Sequence, residues 1–206
     1  MHADDRNDID KAATAIIHPG SRALFRYWEG LRAERPCPQR SEIALHKLVH
    51  LLPNVSIIER TIQGRWAYRL AGTQVCDLLH DSATGRDALS GFDSFERDVV
   101  GKTFELAVSR LQPCLVRMRL VATTGNVVAA ELLGLPVLDQ ASGQAQLFGG
   151  LFGFGQDEEG SRSLLLRREL VSARMIWTEH EAGNQLVAQV GRKAPNLKVI
   201  QGGLAG

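Results

Sequence analysis

At Val55 the periodicity of the chain changes, and that change limits the folds open to it. Before Val55, apolar side chains recur at helical spacing; from Val55 on they begin to alternate. Residues 55–62 are rich in β-branched side chains, and Gln63-Gly64 suits a tight turn in which Gly64 supplies a positive φ. In residues 65–71, Trp66, Tyr68 and Leu70 alternate with Ala67 and Arg69. Two such runs about a turn predict a β-hairpin, with Trp66, Tyr68 and Leu70 on one face.

Two amphipathic helices are expected ahead of the hairpin. Pro19-Gly20-Ser21 breaks the chain and offers Ser21 as an N-cap. Leu24, Tyr27, Trp28 and Leu31 then follow at i, i+3, i+4 and i+7, one apolar stripe, and prolines 36 and 38 stop the helix. Ser41 can cap a second helix with the stripe Leu45, Leu48, Val49 and Leu52, ended by Pro53-Asn54.

Downstream, Gly72-Thr73 opens a short helix carrying Val75, Leu78 and Leu79, and residues 81–91 read as turns and loops. Residues 94–111 form a long helix, with Val100, Phe104, Ala107 and Leu111 on one side. Three strands follow. In residues 114–122, Val116, Met118, Leu120 and Ala122 share a face while Arg117 and Arg119 point the other way, toward water or the N-terminal helices. Residues 126–138 are apolar on both faces, and 146–154 return as a strand whose glycines mark bulges or close packing. Residues 164–177 are expected as an extended segment on the sheet edge. The reading is an α+β fold: a five-stranded antiparallel sheet with helices on one face, preceded by two amphipathic helices. It divides the chain into a flexible tail (1–20), a helical cap (21–53), a main domain (54–178, with a last strand or extension after 163) and a second tail (179–206).

A formal net charge of +1 gives no general field drawing the chain to nucleic acid or an anionic membrane. The most apolar run, 127–138, is too short to span a bilayer. Residues 1–11 lack the apolar stretch of a secretory signal. Cys37, Cys76 and Cys114 are odd in number and far apart, so reduced thiols in a cytoplasmic protein are expected.

Local sequence adds a resemblance. Trp66-Ala67-Tyr68-Arg69-Leu70-Ala71-Gly72-Thr73 resembles the second strand and turn of a small, stand-alone bacterial family of the PAS superfamily. Gly85-Arg86-Asp87-Ala88-Leu89-Ser90-Gly91 is similar to that family's Gly-Arg-Asp-Leu-x-Gly segment, with Ala88 where the family more often has Leu. Tyr27-Trp28-x-x-Leu31-Arg32, Pro38-x-Arg40-Ser41-x-Ile43 and Asn196-Leu197-Lys198-Val199-Ile200-Gln201-Gly202-Gly203 also resemble it. The resemblance implies a PAS-like fold and a regulator of bacterial signalling, a sensor or adaptor that binds a small ligand or a partner protein. PAS domains bind ligands between sheet and helices, which makes Trp66, Tyr68, Leu70, Met118 and Leu120 the pocket candidates. They often dimerise through a flanking helix, which makes Leu24, Tyr27, Trp28 and Leu31 candidates for a homodimer interface.

No catalytic residues are expected, since neither a nucleophile elbow nor a phosphate loop is present. His46 and His50, four apart, lack both a third ligand and the glutamate of H-E-x-x-H, so they read as a solvated helix face rather than a metal site. His80, beside Asp81, is the one candidate axial ligand were the chain to bind haem; Cys76 lacks the sequence context of flavin-binding PAS proteins. The cofactor is thus unassigned, with none as the leading expectation. A haem- or flavin-binding sensor and a small-molecule enzyme are the alternatives.

Overall fold

The structure, a computed structural model, describes residues 15–155, 164–177 and 187–188. The tail readings for 1–14 and for nearly all of 179–206, including the family-like segment 196–203, lie outside the described residues. Within them, helix α1 (Pro19–Arg32) is followed by three single 3-10 turns (Arg40–Glu42, Leu45–Leu48, Leu52–Asn54). Then come β1 (Val55–Arg60), β2 (Trp66–Ala71), α2 (Thr73–Leu79), α3 (Ser94–Arg110), β3 (Cys114–Ala122), β4 (Val127–Leu138), β5 (Ala145–Phe154), β6 (Leu165–Met175) and the two-residue β7 (Val187–Ala188). The sheet runs β2-β1-β5-β4-β3-β6-β7, with every neighbour antiparallel. The five expected strands form its first five positions. β6 continues it along β3, as residues 164–177 were expected to do, so the sheet is wider than five strands.

Local chemistry explains the helix ends. Asp93 caps α3, accepting from the Glu96 N–H, while the Glu96 carboxylate accepts from the Asp93 N–H. Leu111 closes the helix in the left-handed region. α1 begins earlier than Ser21. Pro19 takes the first helical position, where its missing N–H costs nothing, and His18 is the cap, its Nδ1 accepting from the Gly20 N–H at 3.0 Å. Residues 15–20 are therefore not a loose tail: Ile16 is fully buried.

The second amphipathic helix does not form. Its backbone closes single i→i−3 turns instead: the Lys47 N–H donates to the Ala44 carbonyl at 2.9 Å and the Leu51 N–H to the Leu48 carbonyl at 2.7 Å. The Ala44 N–H donates to the Tyr27 hydroxyl at 2.7 Å, and the Pro38 carbonyl accepts from the Leu138 N–H. These two contacts tie the start of the segment to α1 and to the end of β4. Leu45 and Val49 of the expected stripe are exposed, and so are His46 and His50, which no longer share a helix face.

Both faces of the sheet are covered. α2 and α3 lie on one face, against a core that includes Tyr68, Phe104, Val116, Met118, Leu132 and Leu147. α1 lies on the other, against Leu115, Leu133, Leu135, Phe148 and Phe152. The Arg117 side of β3 is thus partly closed rather than wet. Gly20 lets α1 approach, since a Cβ there would stand 2.3 Å from the Phe152 ring. Trp28 Nε1 donates to the Pro136 carbonyl at 2.7 Å. Register along β4 and β5 is unbroken, so the β5 glycines mark close packing and not bulges.

A buried acid fastens the N-terminal segment to this outer face. Glu131 of β4 is fully buried and accepts from the Ile17 N–H (3.1 Å), the His18 N–H (2.9 Å) and Arg117 Nε (3.1 Å). Arg117 and Arg174 both donate to the Ala15 carbonyl. His18 stacks on Phe152, and its burial lowers its pKa below 6.5, against the opposing pull of Glu131; Arg22 also lowers it. A neutral His18 can accept from Gly20; a protonated one cannot. With a depressed folded pKa, this contribution to stability is full above about pH 6.5 and is lost as pH falls through the folded value. As pH falls from 7.5 to 5.5 the Gly20–Arg22 amides should lose protection, exchanging in excess of what the falling intrinsic rate alone allows. His18→Asn, which keeps an acceptor that does not titrate, should remove that excess; an unchanged excess would contradict the role of His18.

Candidate functional site

On the helix-covered face the candidate site draws on β2, β3, β6 and one loop. On β2, Trp66 and Tyr68 point inward and are buried, with Trp66 edge-on to Phe104 at 5.5 Å. Leu70 does not join them. Ile57 pairs with Leu70 and Ile58 with Tyr68, so Arg69 is an extra residue and the alternation reverses there. Leu70 is 41% exposed as a result. Met118 and Leu120 of β3 are buried in the same core as Trp66 and Tyr68.

The stripe named for a dimer is used within the chain. Leu24 and Trp28 are buried against the protein's own sheet, Tyr27 is tied to Ala44, and Leu31 is half-buried. The sheet satisfies the apolar face that would otherwise need a second subunit. His80 ends α2 in the left-handed region, half-buried at the helix terminus. Cys76 is half-buried; Cys37 and Cys114 are buried, and burial pushes the Cys114 thiol up to about 12. Among the described residues, no cluster of three metal-ligating side chains occurs.

One of the segments that carry the sequence resemblance, residues 85–91, is part of the site. The Tyr68 N–H donates to the Arg86 carbonyl, the Gly85 N–H to the Tyr68 carbonyl, and the Ala88 N–H to the Trp66 carbonyl. Residues 85–88 thereby occupy the free edge of β2. The segment then crosses to the far side of the sheet, where the Arg168 N–H of β6 donates to the Gly91 carbonyl at 2.7 Å. Asp87 anchors the crossing, accepting from the Leu89 N–H and pairing with Arg97 at 2.7 Å. Gly91 adopts a φ of 85° and lies against the Arg168 side chain, so a larger residue there would be strained and crowded.

Beneath this crossing lies Arg168, which sequence reasoning missed. It is 5% exposed. Its Nη1 donates to the Ala88 carbonyl at 2.7 Å, its guanidinium sits 5.5 Å from the Phe92 ring centroid, and its Nε has no partner. The Tyr68 hydroxyl faces it. Burial pushes that hydroxyl above its ordinary range, and the Arg168 charge opposes the shift. Among the described residues no carboxylate forms an ion pair with Arg168. A guanidinium stays charged in a protein, so this arrangement keeps a cation with a spare donor inside the helix-covered layer.

Two bulges on β6 place Arg168 there. Between the Val121 and Ala122 pairings Leu166 is extra, and between the Arg117 and Met118 pairings Val171 is extra. Each bulge reverses the alternation, which turns Arg168, Leu170, Ala173 and Met175 toward the helices and Arg174 toward the α1 face.

An antiparallel sheet in this strand order, with α2 and α3 on one face and α1 on the other, is an α+β arrangement of PAS type. A family model described as a PAS domain matches residues 16–152, and the chain belongs to that family. PAS domains serve in sensing and signalling. The match includes α1 and stops within β5, so β6 and Arg168 lie beyond it. No curated protein matches the chain. No helix among the described residues is long and apolar enough to cross a membrane.

Proposed function

We propose that the chain is a bacterial cytoplasmic signalling regulator. It binds a small molecule beneath its helices, relays occupancy by protein–protein contact, and does not turn its ligand over. The observation that supports this most is Arg168, a buried cation with an unpaired Nε beside the Tyr68 hydroxyl, in the layer where PAS domains take ligands. A charge left without a partner in such a layer is costly, and a bound anion or polar group would offset that cost. A relay is built into the same strand. β6 sends Arg168 to the ligand layer and Arg174 to the Ala15 carbonyl on the opposite face, where Glu131 holds the N-terminal segment. A shift of β6 would be felt on both faces. The proposal includes a homodimer whose contact lies outside Leu24 and Trp28.

Mass spectrometry of compounds released on denaturing natively purified protein tests the reading, beside a pull-down from source cells with and without the released compound. The expected result is one compound at near-stoichiometric yield and a protein partner whose capture depends on it. Steady turnover of a metabolite by the isolated chain would contradict the proposal, as would capture indifferent to the compound.

A further inference from the structure

We infer that the ligand is a small organic monocarboxylate with an apolar body, its carboxylate held by Arg168 beside the Tyr68 hydroxyl. This inference rests on the sensor reading above and names the ligand's chemistry. The acids near the crossing segment are already engaged. Asp87 pairs with Arg97. Glu96 accepts from the Leu170 and Asp93 N–H groups. Glu169 lies on the other side of β6 and pairs with Arg119 and Arg167. The charge on Arg168 therefore has no internal answer among the described residues.

The donor set selects the anion. Nη1 is occupied by the Ala88 carbonyl, and Nε is free. An arginine edge matches a carboxylate in geometry and charge. One guanidinium and one phenolic hydroxyl suit a single negative charge; a phosphate dianion would call for further cations or backbone donors. The surroundings select the rest of the molecule. Phe92, Tyr68 and Ala88 border the guanidinium, and all three belong to the same apolar core as Trp66, Val75 and Phe104. A polar or multiply charged body would lose its hydration there without compensation.

Titration calorimetry with octanoate and benzoate, each against its neutral amide, tests the inference and separates aliphatic from aromatic bodies. Wild-type protein should bind at least one acid, and the matching amide should bind at least about 10-fold more weakly. Arg168→Met should weaken acid binding roughly 10- to 100-fold, and Arg168→Lys, which keeps charge but loses Nε, by less. Tyr68→Phe should weaken it several-fold, and it carries the test if Arg168→Met fails to fold by near-ultraviolet circular dichroism. Equal binding of acid and amide, or undiminished acid binding by Arg168→Met, would overturn the monocarboxylate assignment and leave the sensor reading standing. Wild-type protein that binds neither acid nor amide would also overturn it; the compound released from native protein then decides the sensor reading separately.

Discussion

Glu131→Ala should lower the melting temperature by about 10 °C, from the loss of about 3–5 kcal/mol expected when one member of a buried ion pair is removed. Three donors lose their acceptor at once: the Ile17 and His18 N–H groups and Arg117 Nε. Arg117, only 23% exposed at its side chain, is left without its pair. The loss is directional. The segment ahead of α1 should come away from the sheet before the helix-covered face opens, so hydrogen exchange at Ile17 and His18 should accelerate well before exchange at Tyr68. Glu131→Gln keeps one acceptor oxygen and the shape, and should cost about half as much. Thermal unfolding by circular dichroism checks the pair. A drop under about 2 °C for Glu131→Ala would show that Glu131 does not hold the segment.

Gly149→Ala should prevent folding. An ideal Cβ at that position would stand 1.8 Å from the Leu133 carbonyl oxygen and 2.8 Å from its carbon. Those are backbone atoms of the neighbouring strand and have no rotamer to escape through. Gly149 pairs with Gly134 in the middle of the β4–β5 ladder, so relief requires the two central strands to part. A cost above about 4 kcal/mol is expected, which consumes much of the roughly 5–15 kcal/mol by which a domain is stable. The expected outcome is insoluble protein on expression, or a soluble product without near-ultraviolet circular dichroism. Gly125→Ala is the control. Gly125 has a φ of 88° but nothing within 4 Å of a new Cβ, so it should cost only about 1–2 kcal/mol and yield folded protein. If both variants fold alike, the close approach at Gly149 is not a constraint.

Much of the fold was legible because local patterns and tertiary packing agree there. The hairpin, α2, α3 and the three strands β3, β4 and β5 each carry one period, matching chain breaks and suitable caps. The misses share a cause: a single backbone irregularity or a distant partner changes what a side chain does. Residues 41–52 have a helical stripe, but their backbone closes short 3-10 turns and the Ala44 N–H is tied to the Tyr27 hydroxyl. Leu70 fits the alternation of Trp66 and Tyr68 until the extra residue, Arg69, reverses it. The α1 stripe was correctly seen as apolar, yet periodicity alone does not say whether it covers its own sheet or a neighbour's.

The candidate site shows the same division. That Trp66, Tyr68, Met118 and Leu120 face one core was readable from alternation, and the 85–91 segment stood out by its resemblance, but its role as a cover over β6 did not. Arg168 was out of reach. It stands next to Arg167 in a strand with a bulge on either side, at Leu166 and Val171, and one of the two arginines points out while the other is buried. The nearest signal in the sequence is Gly91, whose positive φ and contact with Arg168 imply that something packs closely there.

The proposed sensing role turns on Arg168 meeting a ligand beneath the helices. Its side-chain Nε–H resonance, followed by heteronuclear NMR while octanoate or benzoate is added to the labelled full-length chain, reads that event at the atom concerned. We expect the Nε–H signal to shift saturably with at least one acid and to stay still with the matching amide, accompanied by smaller shifts at Ile17 and His18 across the sheet. An Nε–H signal unmoved by either acid, with shifts confined to exposed residues, would contradict the account.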